Sequence, residues 1–149
     1  MRTVIAVVVL LILCAGVRAR TLTECGKSDG YSYFFSGGFV PADKGGWQKD
    51  RIGDGRIILN YINGEIDLLV KNAMGTTVSV KDGGKIIPRK TNANSLIALT
   101  VFYDGEETTE DYVFQLDDRG DGTVAWTVIR TATKINKMSL MTASCRGPR

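Results

Sequence analysis

The chain contains no histidine, and that one absence closes several chemistries. Ser-His-Asp and Cys-His catalysis and the His-containing zinc sites all need an imidazole. Neither G-x-x-x-x-G-K-[ST] nor a helix-opening G-x-G-x-x-G occurs, so the known phosphate-cradling loops are missing too. There is no Asn-x-Ser/Thr sequon, and N-glycosylation is not expected. Cysteine is sparse, at three residues, which is too few for a scaffold built from disulfides. Outside the first twenty residues no long apolar run and no amphipathic helical pattern is found.

The first segment, MRTVIAVVVLLILCAGVRA, has the form of a secretory signal peptide. Arg2 supplies a positive start, and Val4 to Cys14 form an apolar run too short to span a bilayer comfortably. Val17-Arg18-Ala19 fits a small-residue cleavage site, so residues 1–19 are read as the leader and 20–149 as one secreted domain. Leu13 before Cys14 argues against a lipoprotein site. Without the leader, Lys plus Arg falls from 19 to 17 against 16 acids, a net charge of +1 with the signs interspersed. That is no footprint for nucleic acid, and no stable membrane insertion is expected after cleavage. Two cysteines remain, Cys25 and Cys145, and in an oxidising compartment they are expected to pair and tie the termini together.

The rest of the chain alternates short apolar runs with Asp-Gly, Asn-Gly and Gly-Gly pairs. This is the pattern of successive hairpins, and the predicted fold is all-β: an antiparallel meander of about eight to ten short strands forming a barrel or a sandwich. In RIILNYINGEIDLLVK, Asn63-Gly64 is a strong type I′ turn signal. It pairs Tyr61 with Ile66, Leu59 with Leu68 and Ile57 with Val70 on an apolar core face. Asn60 with Asp67, Ile58 with Leu69 and Arg56 with Lys71 fall on a face expected to see water. TTVSVK is read as turning through Asp82-Gly83-Gly84 into KIIPRK. SLIALTVFY, apolar on both faces, is placed centrally. DYVFQL turns through LDDRGDG into TVAWTVIRT, and a last strand runs from about Met138 to Cys145. GYSYFFSGGF and GWQKDRI are read as two shorter strands upstream.

One local stretch, NGEIDLLVKNAMGTTVSV, resembles a repeat of the FG-GAP type found in β-propellers, where G-x-x-D-L-L-V precedes a second glycine-bearing turn. The family's upstream string of calcium-binding aspartates is replaced by Tyr61, Ile62 and Asn63. What the resemblance implies is a blade-like sheet; a chain of this length has no room for a full propeller.

Three groups of residues are candidates for function. The tripeptide Arg119-Gly120-Asp121 has the form read by cell-adhesion receptors, and it lies where a hairpin turn also calls for Gly and Asp. Trp47, after Gly45-Gly46, and the cluster Tyr31, Tyr33, Phe34 and Phe35 carry rings that serve as core if buried and as a sugar- or protein-binding face if exposed. Trp126, alternating with Val124 and Val128, reads as core, and Trp47 as the more exposed of the two. Asp54, Asp67 and Asp111 are the carboxylates available to a hydrolase. Asp117, Asp118, Asp121 and Gly122 hint at a calcium loop, but Arg119 and Val128 stand at required EF-hand ligand positions, and no metal site or cofactor is expected.

The leading expectation is a secreted, non-catalytic binding protein acting through surface loops on an extracellular protein or glycan. A lipocalin-like carrier of a small apolar ligand, an adhesion ligand and a carboxylate-dependent hydrolase are the alternatives. Oligomeric state is left open.

Overall fold

A computed structural model describes residues 19–149 apart from 72–74, 104, 106 and 132, so the expected leader, Ala19 apart, lies outside the described residues. Nine strands follow one another: β1 (Ala19–Phe34), β2 (Gly46–Ile62), β3 (Glu65–Lys71), β4 (Thr77–Ser79), β5 (Gly84–Arg89), β6 (Leu96–Tyr103), β7 (Thr108–Leu116), β8 (Gly122–Arg130) and β9 (Lys137–Arg146). Short 3-10 turns stand at Ala42–Lys44 and Val80–Asp82. Among the described residues no helix is long and apolar enough to cross a membrane.

All nine strands belong to one antiparallel sheet in the order β4-β3-β2-β1-β9-β8-β7-β6-β5. Every chain neighbour pairs with the next except β4 with β5, and β1 closes the circuit by pairing with both β2 and β9. The sheet is therefore a meander curled into a half-barrel, not two packed sheets. Its opening lies between β4 and β5, with the Val80–Asp82 turn set between them. The Cys25–Cys145 disulfide joins β1 to β9 across a sequence separation of 120, with Cα atoms 3.9 Å apart.

The concave side is the core. Leu59, Leu68, Val101, Phe114 and Val124 have no exposed surface, and Tyr112 stacks between Phe114 and Trp126. The Asn63-Gly64 turn sets the β2–β3 register as the sequence predicts: Ile62 faces Glu65, Asn60 faces Asp67 and Leu59 faces Leu68. Both turn residues have positive φ, 51° and 91°, as a type I′ turn requires.

Four expectations need correction. GYSYFFSGGF and GWQKDRI are not separate short strands. GYSYF ends β1, FSGGF belongs to the connection after it, and GWQKDRI opens β2, the two strands having 16 and 17 residues. The glycines at 53 and 55 do not end β2 but form a bulge. The register steps from Gly26–Arg56 to Ser28–Ile52, so four residues of β2 advance against two of β1 and the pair bends there. Second, Asp82-Gly83-Gly84 makes no hairpin. Ser79 Oγ accepts from Lys81 N and caps a helical turn that sends Val80 into the core, and the ladder stops. Third, SLIALTVFY is covered by the core on its inner face, with Leu99 and Val101 buried, while on its outer face only Thr100 is buried, between Arg89 and Asp111, and Phe102 is exposed. Fourth, Asp67 is buried rather than solvated, because Ser79 lies over it and donates to Oδ1 at 3.0 Å. The stretch that resembles a propeller repeat is part of this continuous sheet, in β3 and β4.

Candidate functional site

Strand alternation places side chains of one register row on one face. On the convex face one row runs across six neighbouring strands: Phe102 on β6, Thr109 on β7, Ile129 on β8, Met138 on β9, Tyr33 on β1 and Trp47 on β2. Its large side chains face outward with no layer over them. Trp47 is 61% exposed, Ile129 45%, Phe102 43% and Met138 40%. The rings hold one another: Tyr33 meets Trp47 edge-on at 5.4 Å and Phe35 at 5.1 Å. The next row adds Leu140 and Tyr31, both more than half exposed, beside Lys49. Beyond the row, at the rim, the connections carry exposed Phe35, Phe39 and Ile135. These two connections are tied together, since Phe39 N donates to Lys134 O and Phe35 N to Asn136 O.

The other half of the convex face is mostly polar, with Val113 as an exposed apolar side chain within it. Asp29 pairs with Arg51 at 3.2 Å and Glu24 with Arg56 at 3.4 Å, and Thr123, Ser144 and Gln115 point outward. The apolar surface is thus gathered at the end of the half-barrel away from the disulfide.

Directly behind the exposed row the inner face is also polar. Ser32 Oγ bonds to Asp50 Oδ2 and to Ser139 Oγ, each at 2.6 Å, and Lys137 Nζ reaches Asp50 Oδ2 at 3.1 Å. Burial alone would raise the Asp50 pKa, but the Ser32 hydroxyl and the Lys137 ammonium outweigh it and hold the carboxyl below its usual value. Tyr103 and Tyr112 both donate to Glu110 Oε2. Burial, then the Glu110 carboxylate, keep the Tyr112 hydroxyl protonated well above the ordinary phenol range. These groups are neutralised or hydrogen-bonded within the sheet and serve to fix its curl.

Compared with protein-family models, curated proteins and solved structures, the chain matches none.

Arg119, Gly120 and Asp121 lie in the turn between β7 and β8. Asp117 organises that turn by accepting from Arg119 N and Asp121 N, and these bonds, the Asp121 one first, lower its pKa. The Arg119 side chain is in water beside Asp117. Gly120 is buried: Thr23 Oγ1 donates to its carbonyl at 2.7 Å, and a Cβ there would lie 2.1 Å from Leu22 O. Asp121 Oδ1 accepts from Gly147 N at 3.0 Å. The tripeptide therefore clasps the turn to the start of β1 and to the chain after β9. It also borders an open cleft of about 740 Å³ with Arg20, Leu22, Ile97 and Pro148.

The candidate carboxylates are not brought together. Asp67 lies on β3 and Asp111 on β7, five strand spacings apart in the sheet, on the order of 24 Å. Asp54 sits in the β2 bulge, six residues from the position opposite Asp67, on the order of 20 Å along the strand. Asp67 accepts from Leu68 N and Ser79 Oγ, and Asp111 from Thr100 Oγ1. Each is satisfied locally, and neither spacing matches the paired carboxylates of a glycosidase.

Trp47 and the tyrosines were visible as candidates in the sequence. Met138, Ile129, Leu140 and Phe102 were not. Each sits in a strand whose opposite face is also apolar, and nothing local says which face is covered.

Proposed function

We propose that the protein is a secreted, non-catalytic binding protein that docks an extracellular protein partner through the convex-face row containing Tyr33 and Trp47. The observation that carries this reading is the row itself: Ile129, Met138, Tyr33 and Trp47 are register neighbours on four adjacent strands, with Phe102 beyond Thr109, and Trp47, Ile129, Phe102 and Met138 stand exposed. Soluble chains rarely expose such a patch without a use for it. Its composition of Trp, Tyr, Phe and Met is the one enriched at protein interfaces, where Trp and Tyr anchor most of the affinity. A protein partner is favoured over a glycan because the aliphatic side chains of Ile129, Met138 and Leu140 stand among the rings, with polar groups only at Thr109, Lys49 and the tyrosine hydroxyls.

Secretion is supported by the N-terminal pattern and by the single disulfide, which belongs to oxidising compartments. The carrier reading is less well supported, because the concave side is filled by its own side chains. The test uses the mature chain as bait in extracellular fluid, beside a Trp47→Ser/Met138→Ser variant and an Asp121→Glu variant. A partner retained by wild type and Asp121→Glu but lost with Trp47→Ser/Met138→Ser is the expected result. A partner lost only with Asp121→Glu would move the function to the Arg119-Gly120-Asp121 turn.

A further inference from the structure

At the rim of the half-barrel, next to the apolar row but on its inner side, Phe34, Arg130, Thr133, Lys134, Ile135 and Lys137 line an open cleft of about 350 Å³. Arg130 and Lys137 are register partners on β8 and β9, and Lys137 faces Phe34 on β1. Lys134 comes from the β8–β9 connection. That connection is fixed by Thr133 Oγ1 donating to Ile135 O and by Asn136 Oδ1 accepting from Thr133 N.

Three cations thus converge, and among the described residues no acid lines the cleft. Asp50 engages Lys137 from below, and Glu107 is turned to Thr131. Among the described residues Arg130 and Lys134 make no ion pair. Lys134 lies over the Phe39 ring at 5.7 Å, and Lys137, besides its pair with Asp50, lies over Phe34 at 5.6 Å. Ring faces attract an ammonium without neutralising it. Among the described residues Arg130 and Lys134 are therefore the cleft's cations without an ion pair, set beside the apolar side chains of Phe34 and Ile135.

We infer that this cleft binds an anionic saccharide, a sugar ring bearing sulfate or carboxylate groups. The cations take the anionic groups through charge-assisted hydrogen bonds. The Ile135 side chain and the part of the Phe34 ring that Lys137 leaves open take the C–H face of the sugar ring, a surface that a bare phosphate or an acidic side chain does not offer. This site is separate from the protein-docking row and does not depend on it.

The test is titration of the mature chain with a heparin-derived hexasaccharide, followed by calorimetry. Its desulfated counterpart, a poly-glutamate peptide and phosphatidylserine vesicles are run in parallel. Binding of the sulfated sugar is expected to weaken roughly tenfold in each of Lys134→Gln and Arg130→Gln, and to fall with added salt. It is expected to be unchanged in Arg149→Gln, at the opposite end, and in Trp47→Ser, which separates this site from the docking row. Circular dichroism and melting of each variant confirm an intact fold. Absence of binding, equal loss in Arg149→Gln, or tighter binding of poly-glutamate or vesicles through the same residues would overturn the assignment.

Discussion

Gly120→Ala is the substitution that most sharply separates a receptor motif from an architectural one. Gly120 has φ of +85°, and an added Cβ would lie 2.1 Å from Leu22 O and 3.1 Å from the Gly147 Cα. The backbone conformation alone costs an alanine about 1–2 kcal/mol. The contact is with main chain on two sides, so relief requires moving the start of β1 or the C-terminal segment, at roughly 1–3 kcal/mol more. The predicted loss is therefore about 2–5 kcal/mol. Gly64→Ala is the matched control: φ is +91°, and no heavy atom lies within 4 Å of its added Cβ. It should lose only the conformational part, about 1–2 kcal/mol. Urea unfolding followed by tryptophan fluorescence measures both, with thermal melting as a check at about 3–5 °C per kcal/mol for a domain of this length. If the two variants unfold at the same denaturant concentration, the packing of Gly120 under Leu22 and Gly147 is wrong. The clasp account of Arg119-Gly120-Asp121 would fall with it.

Leu59→Ala or Leu68→Ala should each destabilise by roughly 2–5 kcal/mol, since both side chains are fully buried; Asn60→Ala should cost far less, and the reverse order in urea midpoints would refute the register. Replacing Cys25 and Cys145 by serine should remove up to about 4–5 kcal/mol for the loop of 120 residues that the bond closes, and mass spectrometry of the secreted wild type should find no free thiol. Asp50 is held below its ordinary 3.8, so its contribution to stability is present above that value and lost as pH falls through the folded pKa. Asp50→Asn should then flatten the acid limb of the stability–pH curve, and an unchanged limb would mean that Ser32 and Lys137 do not hold the carboxylate.

What could be read in the sequence follows from where local chemistry dictates geometry. Asn63-Gly64 fixes both turn residues at positive φ, and from that one turn seven cross-strand pairs of β2 and β3 follow. Cys25 and Cys145 could be paired because no other cysteine competes once the leader is set aside. Trp126 could be placed in the core from its alternation with Val124 and Val128. The β4–β5 break was not legible, because Asp82-Gly83-Gly84 is a good turn sequence in isolation. The burial of Val80 against distant strands decides the matter. Nor was the length of β1 and β2, since the segment Gly53-Asp54-Gly55 between GWQKDRI and RIILNY forms a bulge within one strand, which only the pairing with β1 reveals. The candidate site was legible only in part. Trp47 and Tyr33 stood out, but their neighbours Met138 and Ile129 lie some ninety residues away and join them only because β1 pairs with β9.

The most direct test of the docking account is hydrogen exchange on the mature chain, free and bound to the partner it captures. Protection should concentrate at the rim ends of β1, β2, β8 and β9 around Tyr33, Trp47, Ile129 and Met138, and leave the Asp117 to Gly122 turn unchanged. Protection confined to that turn and the disulfide end, with the Trp47 row exchanging as in the free chain, would contradict it.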